Sequence, residues 1–194
     1  MSTQAKPFLT PEQYLEIERA AEYKSEYFKG QMYAMAGGSL NHARIFRNLL
    51  LSLNGQLRGR DCEVAGSDLR LQVSPSGLST YPDIVVFCGK PKLTDQRNDT
   101  ITDATVIIEV LSPSTSDYDR GFKFEQYRRI PSLKDYIVIA QDRVYLEHYV
   151  RQCDSSWILR ESSDLNDAIQ IPSIECSFRL SEAYERVEFE VTPT

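Results

Sequence analysis

Hydrophobic positions in this chain change their spacing several times, and each change marks a new element. Thr10, Pro11, Glu12 and Gln13 form a capping-box opening with proline at the first helical position, which predicts a helix over about 11–22. Residues 26–33 read as two short strands around Lys29-Gly30, a tight hairpin. Gly37-Gly38 breaks that pattern and Ser39 is placed to cap a second helix. Phe46, Leu49, Leu50, Leu53 and Leu57 recur along that helix at helical spacing. His42, four residues before Phe46, begins the same inward stripe.

Strand spacing then takes over. Leu69, Leu71 and Val73 alternate with Arg70 and Gln72, as in a half-buried strand. Pro75 and Gly77 mark a turn, and Tyr81 to Cys88 reads as the next strand. A polar, turn-rich stretch over 89–103 leads to the apolar run 104–111. Ser116 with Asp119 resembles a cap for a helix reaching about Ile130, before Pro131. A hairpin about Gln141-Asp142 follows, with short strands near 156–161, 168–172 and 174–179. The series predicts one mixed α/β domain over 1–194, with a largely antiparallel central sheet flanked by helices.

Composition narrows the class. The 194 residues suffice for one full core, and 41% hydrophobic with 26% charged residues is ordinary globular usage. A net charge of −6 argues against a broad basic face that coats nucleic acid, though not against a local basic cleft. The start, MSTQAKPFLTPEQ, lacks a signal layout, and no apolar run is long enough to span a bilayer, so a cytoplasmic setting without membrane contact is expected. Cys62, Cys88, Cys153 and Cys176 are dispersed and only two histidines are present. Neither a zinc site nor a disulfide framework is expected.

One residue departs from the pattern. Glu109 places a carboxylate inside the run Val106 to Leu111, on the face of Ile107 and Leu111. The eight-residue segments 81–88 and 104–111 mirror each other. In an antiparallel register that sets Ile84 opposite Ile108, Asp83 falls opposite Glu109. Directly opposed side chains have Cβ atoms roughly 4.5–5.5 Å apart, and like charges so placed repel. A divalent cation between them offsets that repulsion, since hard carboxylate oxygens suit Mg²⁺. The alternatives are an ion pair of one acid with Arg70 or another cation, or a shifted register that leaves Glu109 at a solvated edge. Asp119, Lys123 and Tyr127 follow four apart on one helix face. Lys123 either makes a surface pair with Asp119 or returns over the strand toward the two acids.

Tyr81-Pro82-Asp83, the segment Glu109-Val110-Leu111-Ser112-Pro113-Ser114-Thr115, and the helix with Asp119-Arg120-Gly121, Lys123 and Tyr127 together resemble the PD-(D/E)xK restriction-endonuclease-like superfamily. More narrowly they resemble its Uma family, long treated as a domain of unknown function. Glu26, Gly30, His42 and Asp135 to Val138 extend the likeness over most of the chain. The resemblance implies a restriction-endonuclease-like core and a Mg²⁺-dependent (or Mn²⁺-dependent) site that hydrolyses DNA phosphodiesters. Asp83 and Glu109 would be metal ligands together with the Val110 carbonyl. Glu26 would be a further acid near the metal, and His42 a phosphate or water contact; the plainer readings are a hairpin-exposed glutamate and a satisfied core histidine. The superfamily lysine position is Leu111 here, so Lys123 would supply the ammonium, holding the attacking water or the developing charge.

Arginines and lysines near Lys123 (Arg120, Arg128, Arg129, Lys134) and along the second helix (Arg44, Arg47, Arg58, Arg60) are the candidate DNA contacts. A homodimer would suit the cutting of two strands. The alternative function is a catalytically weak nuclease-fold module that binds nucleic acid or a protein partner.

Overall fold

The computed structural model describes residues 8–74 and 77–189. Pro75, expected in a turn, and the first seven residues of the N-terminal segment read above lie outside them. The first helix (α1, Pro11–Ala20) opens as anticipated: the Thr10 side chain accepts from Gln13 N–H, and the Gln13 side chain accepts from Thr10 N–H. Strands β1 (Ser25–Phe28) and β2 (Gln31–Ala34) form the hairpin, with Lys29 and Gly30 both at positive φ (43° and 85°) as a tight two-residue turn requires. The second helix (α2, Leu40–Leu57) starts at Ser39, whose hydroxyl accepts from His42 N–H.

A six-stranded mixed sheet forms the centre. It contains β3 (Cys62–Gly66), β6 (Ile84–Cys88), β8 (Val106–Leu111), β9 (Asp135–Ala140), β10 (Leu146–Arg151) and β11 (Trp157–Ser162). Their order is β11-β10-β9-β8-β6-β3, and β8 with β9 is its parallel pair. A second sheet joins β1 and β2 to β4 (Arg70–Gln72), β5 (Ser79–Thr80) and β7 (Thr100–Ile101) in the order β2-β1-β5-β4-β7. β12 (Ala168–Ile171) and β13 (Cys176–Arg179) pair with each other.

Alternation along the central strands separates two cores. Ile84, Val86, Val106, Ile108, Ile137 and Ile139 face α2, through Ile45, Leu49, Leu53 and Leu57. Val85, Ile107, Leu111, Tyr136 and Val138 face the other way, toward Tyr127, Ile130 and Leu133. Glu109 lies on this second face.

Three expectations are corrected. The strand anticipated over 81–88 breaks into β5 and β6, which belong to different sheets, and Tyr81-Pro82-Asp83 bridges them. Continued register would oppose Pro82 to Val110, and proline has no N–H with which to extend the ladder. The helix anticipated to Ile130 covers 116–127 (α3): α-helical at Ser116–Tyr118 and Phe124–Tyr127, and wider, π-type, over Asp119–Lys123. Its cap differs as well, because the Ser112 hydroxyl accepts from Thr115 N–H in place of a Ser116–Asp119 cap. Finally, Cys62 and Cys88 form a disulfide. Their strands place them directly opposite, Cα atoms 3.9 Å apart, across a 26-residue separation that offers no spacing motif. Cys153 and Cys176 are free.

Candidate active site

The register anticipated from the mirrored segments is present: Ile84 pairs with Ile108, Val85 with Ile107 and Val86 with Val106. The ladder stops there and Asp83 continues it through its side chain. Its Oδ2 accepts from Val110 N–H at 2.7 Å, and its own N–H donates to Glu109 Oε2 at 3.2 Å. Asp83 and Glu109 are therefore interlocked at the point where the proline ends the pairing.

The same break bears on the Val110 carbonyl. Leu111 carbonyl accepts from Gln141 N–H on the β9 side. Strand alternation sends the Val110 N–H and carbonyl to the opposite edge, toward Asp83. There the ladder partner would be Pro82, which cannot donate. Two carboxylates and a carbonyl without its ladder donor make a set of hard oxygens, the chemistry that Mg²⁺ and Mn²⁺ take, often with only one or two carboxylates and added waters.

Helix α3 carries Lys123 back over the strand. Its Nζ lies 3.1 Å from Glu109 Oε1, 3.2 Å from Asp119 Oδ1 and 3.3 Å from Glu26 Oε1. Tyr127, one turn on, donates its hydroxyl to the same Glu109 oxygen at 2.8 Å. Glu26 is held in turn by hydroxyl donors, Tyr118 on Oε2 at 2.8 Å and Thr80 on Oε1. Glu26 is thus neither hairpin-exposed nor isolated; the hairpin delivers it into the cluster. Glu109, Asp119, Lys123 and Glu26 are only 3%, 4%, 6% and 7% exposed. Asp119 and Lys123 consequently form a buried pair and not a surface one. Arg70, the other cation considered for Glu109, instead donates to Tyr81 and Thr100.

His42 enters from the first turn of α2, and its Nε2 sits 3.1 Å from Asp83 Oδ1. These groups border a cleft of about 700 Å³. Its rim is formed by the 34–39 segment on one side and by Ser112, Ser114 and Thr115 on the other.

Acid surplus governs the electrostatics. Burial pushes the Glu109 carboxyl up to about 8, against the pull of Lys123 and with help from the Asp83 and Asp119 charges. Burial likewise raises Asp119. For Lys123, burial alone disfavours the charge, yet Glu109, Asp119 and Glu26 together hold its proton well above the usual lysine range. His42 follows the same rule: Asp83, Glu109 and Asp119 outweigh burial and raise it. Lys123 stays charged.

Lys123 fills the point on which Glu26, Glu109 and Asp119 converge, and among the described residues no group of three or more His, Cys, Asp or Glu side chains is placed to hold a metal ion. Sequence spacing marked Asp83, Glu109, Lys123 and Tyr127. It did not assign Tyr118, Thr80 or the buried role of Asp119, since the first two reach the cluster only through tertiary contacts. The candidate DNA-binding arginines are mostly engaged elsewhere. Arg120, Arg129, Arg44 and Arg60 bond Glu147, Glu125, Glu188 and Glu175 respectively. Among the described residues no helix is long and apolar enough to cross a membrane.

Comparison with known proteins agrees with this architecture. The fold is similar to the crystal structure of a "putative nuclease belonging to DUF820" from Anabaena variabilis, with a TM-score of 0.73 at 18% identity over 91% of this chain and 97% of that one. Two uncharacterized Synechocystis proteins, slr1290 and sll1609, are each 38% identical to this chain. The first match spans 184 residues (94% of this chain, 95% of the relative) and the second 162 residues (84% and 92%). The family model Uma2, described as "Putative restriction endonuclease", matches residues 11–183, which include every side chain of the cluster. This chain belongs to the Uma2 family of restriction-endonuclease-like proteins.

Proposed function

We propose that the protein is a Mg²⁺- or Mn²⁺-dependent endonuclease acting on DNA, with Asp83, Glu109 and the Val110 carbonyl as its metal ligands. The observation that carries this reading is the interlocked Asp83–Glu109 pair at a ladder end opened by Pro82. A fold-holding pair of acids has no use for a carbonyl without its donor beside it, whereas a hard cation uses all three oxygens. When bound, such a cation supplies charge neutralisation at the phosphoryl oxygen and acidifies water.

The remaining work falls to the chain itself. Asp83 and Glu109 are fixed by backbone donors and by Tyr127, so their oxygens are oriented before substrate arrives. His42 stands at the cleft side of Asp83, placed to meet a phosphate oxygen. Glu26, Asp83, Glu109 and Asp119 outnumber Lys123 and His42, so the cation-free cleft repels phosphate. Substrate binding and metal binding are accordingly coupled.

The test is cleavage of plasmid and short duplexes with added Mg²⁺ or Mn²⁺, comparing wild type with Asp83→Asn and Glu109→Gln. Metal-dependent cutting by wild type that both variants lose is the expected result. Equal cutting by all three would assign the activity to a contaminant. Duplex binding with no cutting under any cation would favour a binding module on the same fold.

A further inference from the structure

Gln141 directly follows β9, lines the cleft with His42, Asp83 and Glu109, and is only 8% exposed. Three of its polar groups are tied down. Its N–H donates to the Leu111 carbonyl at 3.3 Å, and its carbonyl accepts from Asn41 Nδ2 at 3.4 Å. Its side-chain Oε1 accepts from the Ser39 hydroxyl, which itself accepts from His42 N–H at 3.1 Å. The fourth group is the amide nitrogen, with two N–H donors. Among the described residues Nε2 has no hydrogen-bond partner, and it is not one of the atoms sealed from solvent without one. Its open side is the cleft.

This arrangement does more than fasten α2. Fastening needs only a contact, whereas Ser39 also sets which way the amide faces: oxygen to the helix, nitrogen to the cleft. A buried donor without a partner costs more than an ordinary hydrogen bond gains, so a donor kept free in the cleft points to an acceptor that arrives with substrate. The neighbourhood selects an anionic acceptor. Ser39 is the N-cap of an 18-residue helix whose first turn holds no acid, so its positive end is not neutralised from within. Neutrality of the donor also suits the place. A lysine here would be drawn to the surplus carboxylates, as Lys123 is, while an amide pinned by its oxygen stays available.

We propose that Gln141 is a substrate-contacting residue whose Nε2 donates to a non-bridging phosphate oxygen of the DNA strand, on the α2 side of the cleft. Ser39 is its positioning residue. Through Ser39 the contact is tied to His42 and hence to Asp83 Oδ1, so it sets the strand relative to the proposed metal ligands. This rests on the nuclease reading of the cleft and deepens it by naming a neutral contact to the strand.

The deciding measurement is the affinity of wild type, Gln141→Leu and Gln141→Glu for two short duplexes of unrelated sequence. It is made in Ca²⁺, which takes the same hard oxygens as Mg²⁺. Gln141→Leu is expected to bind both duplexes about tenfold more weakly, the scale of a hydrogen bond to a charged group. The factor should be the same at low and high salt, because a neutral amide displaces no counterion. KM should rise by a similar factor with kcat little changed. Gln141→Glu keeps an oxygen for Ser39 to hold, so it is expected to fold even where Gln141→Leu does not, and to bind more weakly still. Affinities within about twofold of wild type overturn the inference. So does a lowered thermal midpoint with unchanged affinity, the mark of a fastening alone. A loss confined to one duplex would place the contact on a base edge and overturn it as well, as would wild type that binds neither duplex. The nuclease reading fails on a different result, wild type that binds duplex and never cuts, and the same affinities then still judge Gln141.

Discussion

Two clusters of charge lie on either side of Tyr81, and they are built on opposite principles. On one side Arg19 grips Asp99 through two bonds of 2.6 and 2.7 Å and reaches Asp95 at 2.8 Å. Arg70 bonds Thr100 and the Tyr81 hydroxyl, which in turn donates to Glu18. On the other side Tyr81 leads through Pro82 into Asp83 and the cleft, where four carboxylates surround one ammonium and a half-buried histidine. The shifts record the contrast. Arg19 holds Asp99 down to about 2 in spite of burial, whereas burial and like charges push Glu109 up to about 8. Acids matched by arginines fasten α1 to the second sheet; the acids around the cleft outnumber their cations. The direction of the shift, more than its presence, separates scaffold from site.

Substitutions on the two sides should therefore fail in opposite ways. The largest effect expected is on activity: Asp83→Asn or Glu109→Gln should lower metal-dependent cleavage by about 10²–10³-fold, the scale on which several kcal/mol of charge stabilisation is lost. Neither variant should lose much thermal stability. Arg19→Ala should do the reverse, costing about 1–2 kcal/mol of stability for its charge-assisted bonds, discounted for partial exposure, with cleavage nearly unchanged. Denaturant melts and initial cleavage rates on the same preparations decide it. If Arg19→Ala abolished cleavage at full stability, the division into scaffold and site would fail.

The pH dependence sharpens the same contrast. Asp99 titrates lower in the folded than in the unfolded protein, so its contribution is present above about pH 4 and lost as pH falls through about 2. Glu109 has the opposite sign. Between about 4.5 and 8 the folded protein holds its proton where the unfolded chain has released it, so this group makes the metal-free protein less stable as pH rises. Glu109→Gln removes that slope. Measured in chelator, its melting temperature relative to wild type should climb from pH 5 to pH 8. A constant difference across that range would mean that Glu109 is ionised throughout.

The two clusters were unequally legible in the sequence. Asp83 and Glu109 could be paired because strand register is a matter of counting, and Lys123 with Tyr127 could be added because helical spacing puts them on one face. The scaffold cluster depends on contacts such as Arg19 to Asp99, 80 residues apart, and on a second sheet whose short strands β5 and β7 are two residues each. Nothing in local periodicity marks those. Glu26 and Asp119 fall between the two cases. Both residues were visible, but their burial depends on β1 meeting α3 in space. The Cys62–Cys88 bond was missed for the same reason, since the opposition of β3 and β6 is a register fact with no motif behind it.

The smallest effect should come from Gly38, a lining residue of the cleft that packs against His42. A Cβ there would stand 2.8 Å from His42 Cδ2 and 2.9 Å from Cγ, closer than packed carbons tolerate, and it meets the fixed end of the ring. Its φ is not positive, so the glycine is required by this close approach and not by backbone strain. Gly38→Ala must therefore push the imidazole away and lengthen its 3.1 Å contact with Asp83 Oδ1. Because His42 is only partly buried, on the first turn of α2, stability should change by no more than about 0.5 kcal/mol. Cleavage should fall severalfold, far less than on loss of Asp83, since the carboxylate keeps its Val110 N–H partner. The His42 ring resonances report the displacement directly. Shifted resonances with undiminished cleavage would remove His42 from the substrate contacts and leave it as the fastening of α2 to the end of β6.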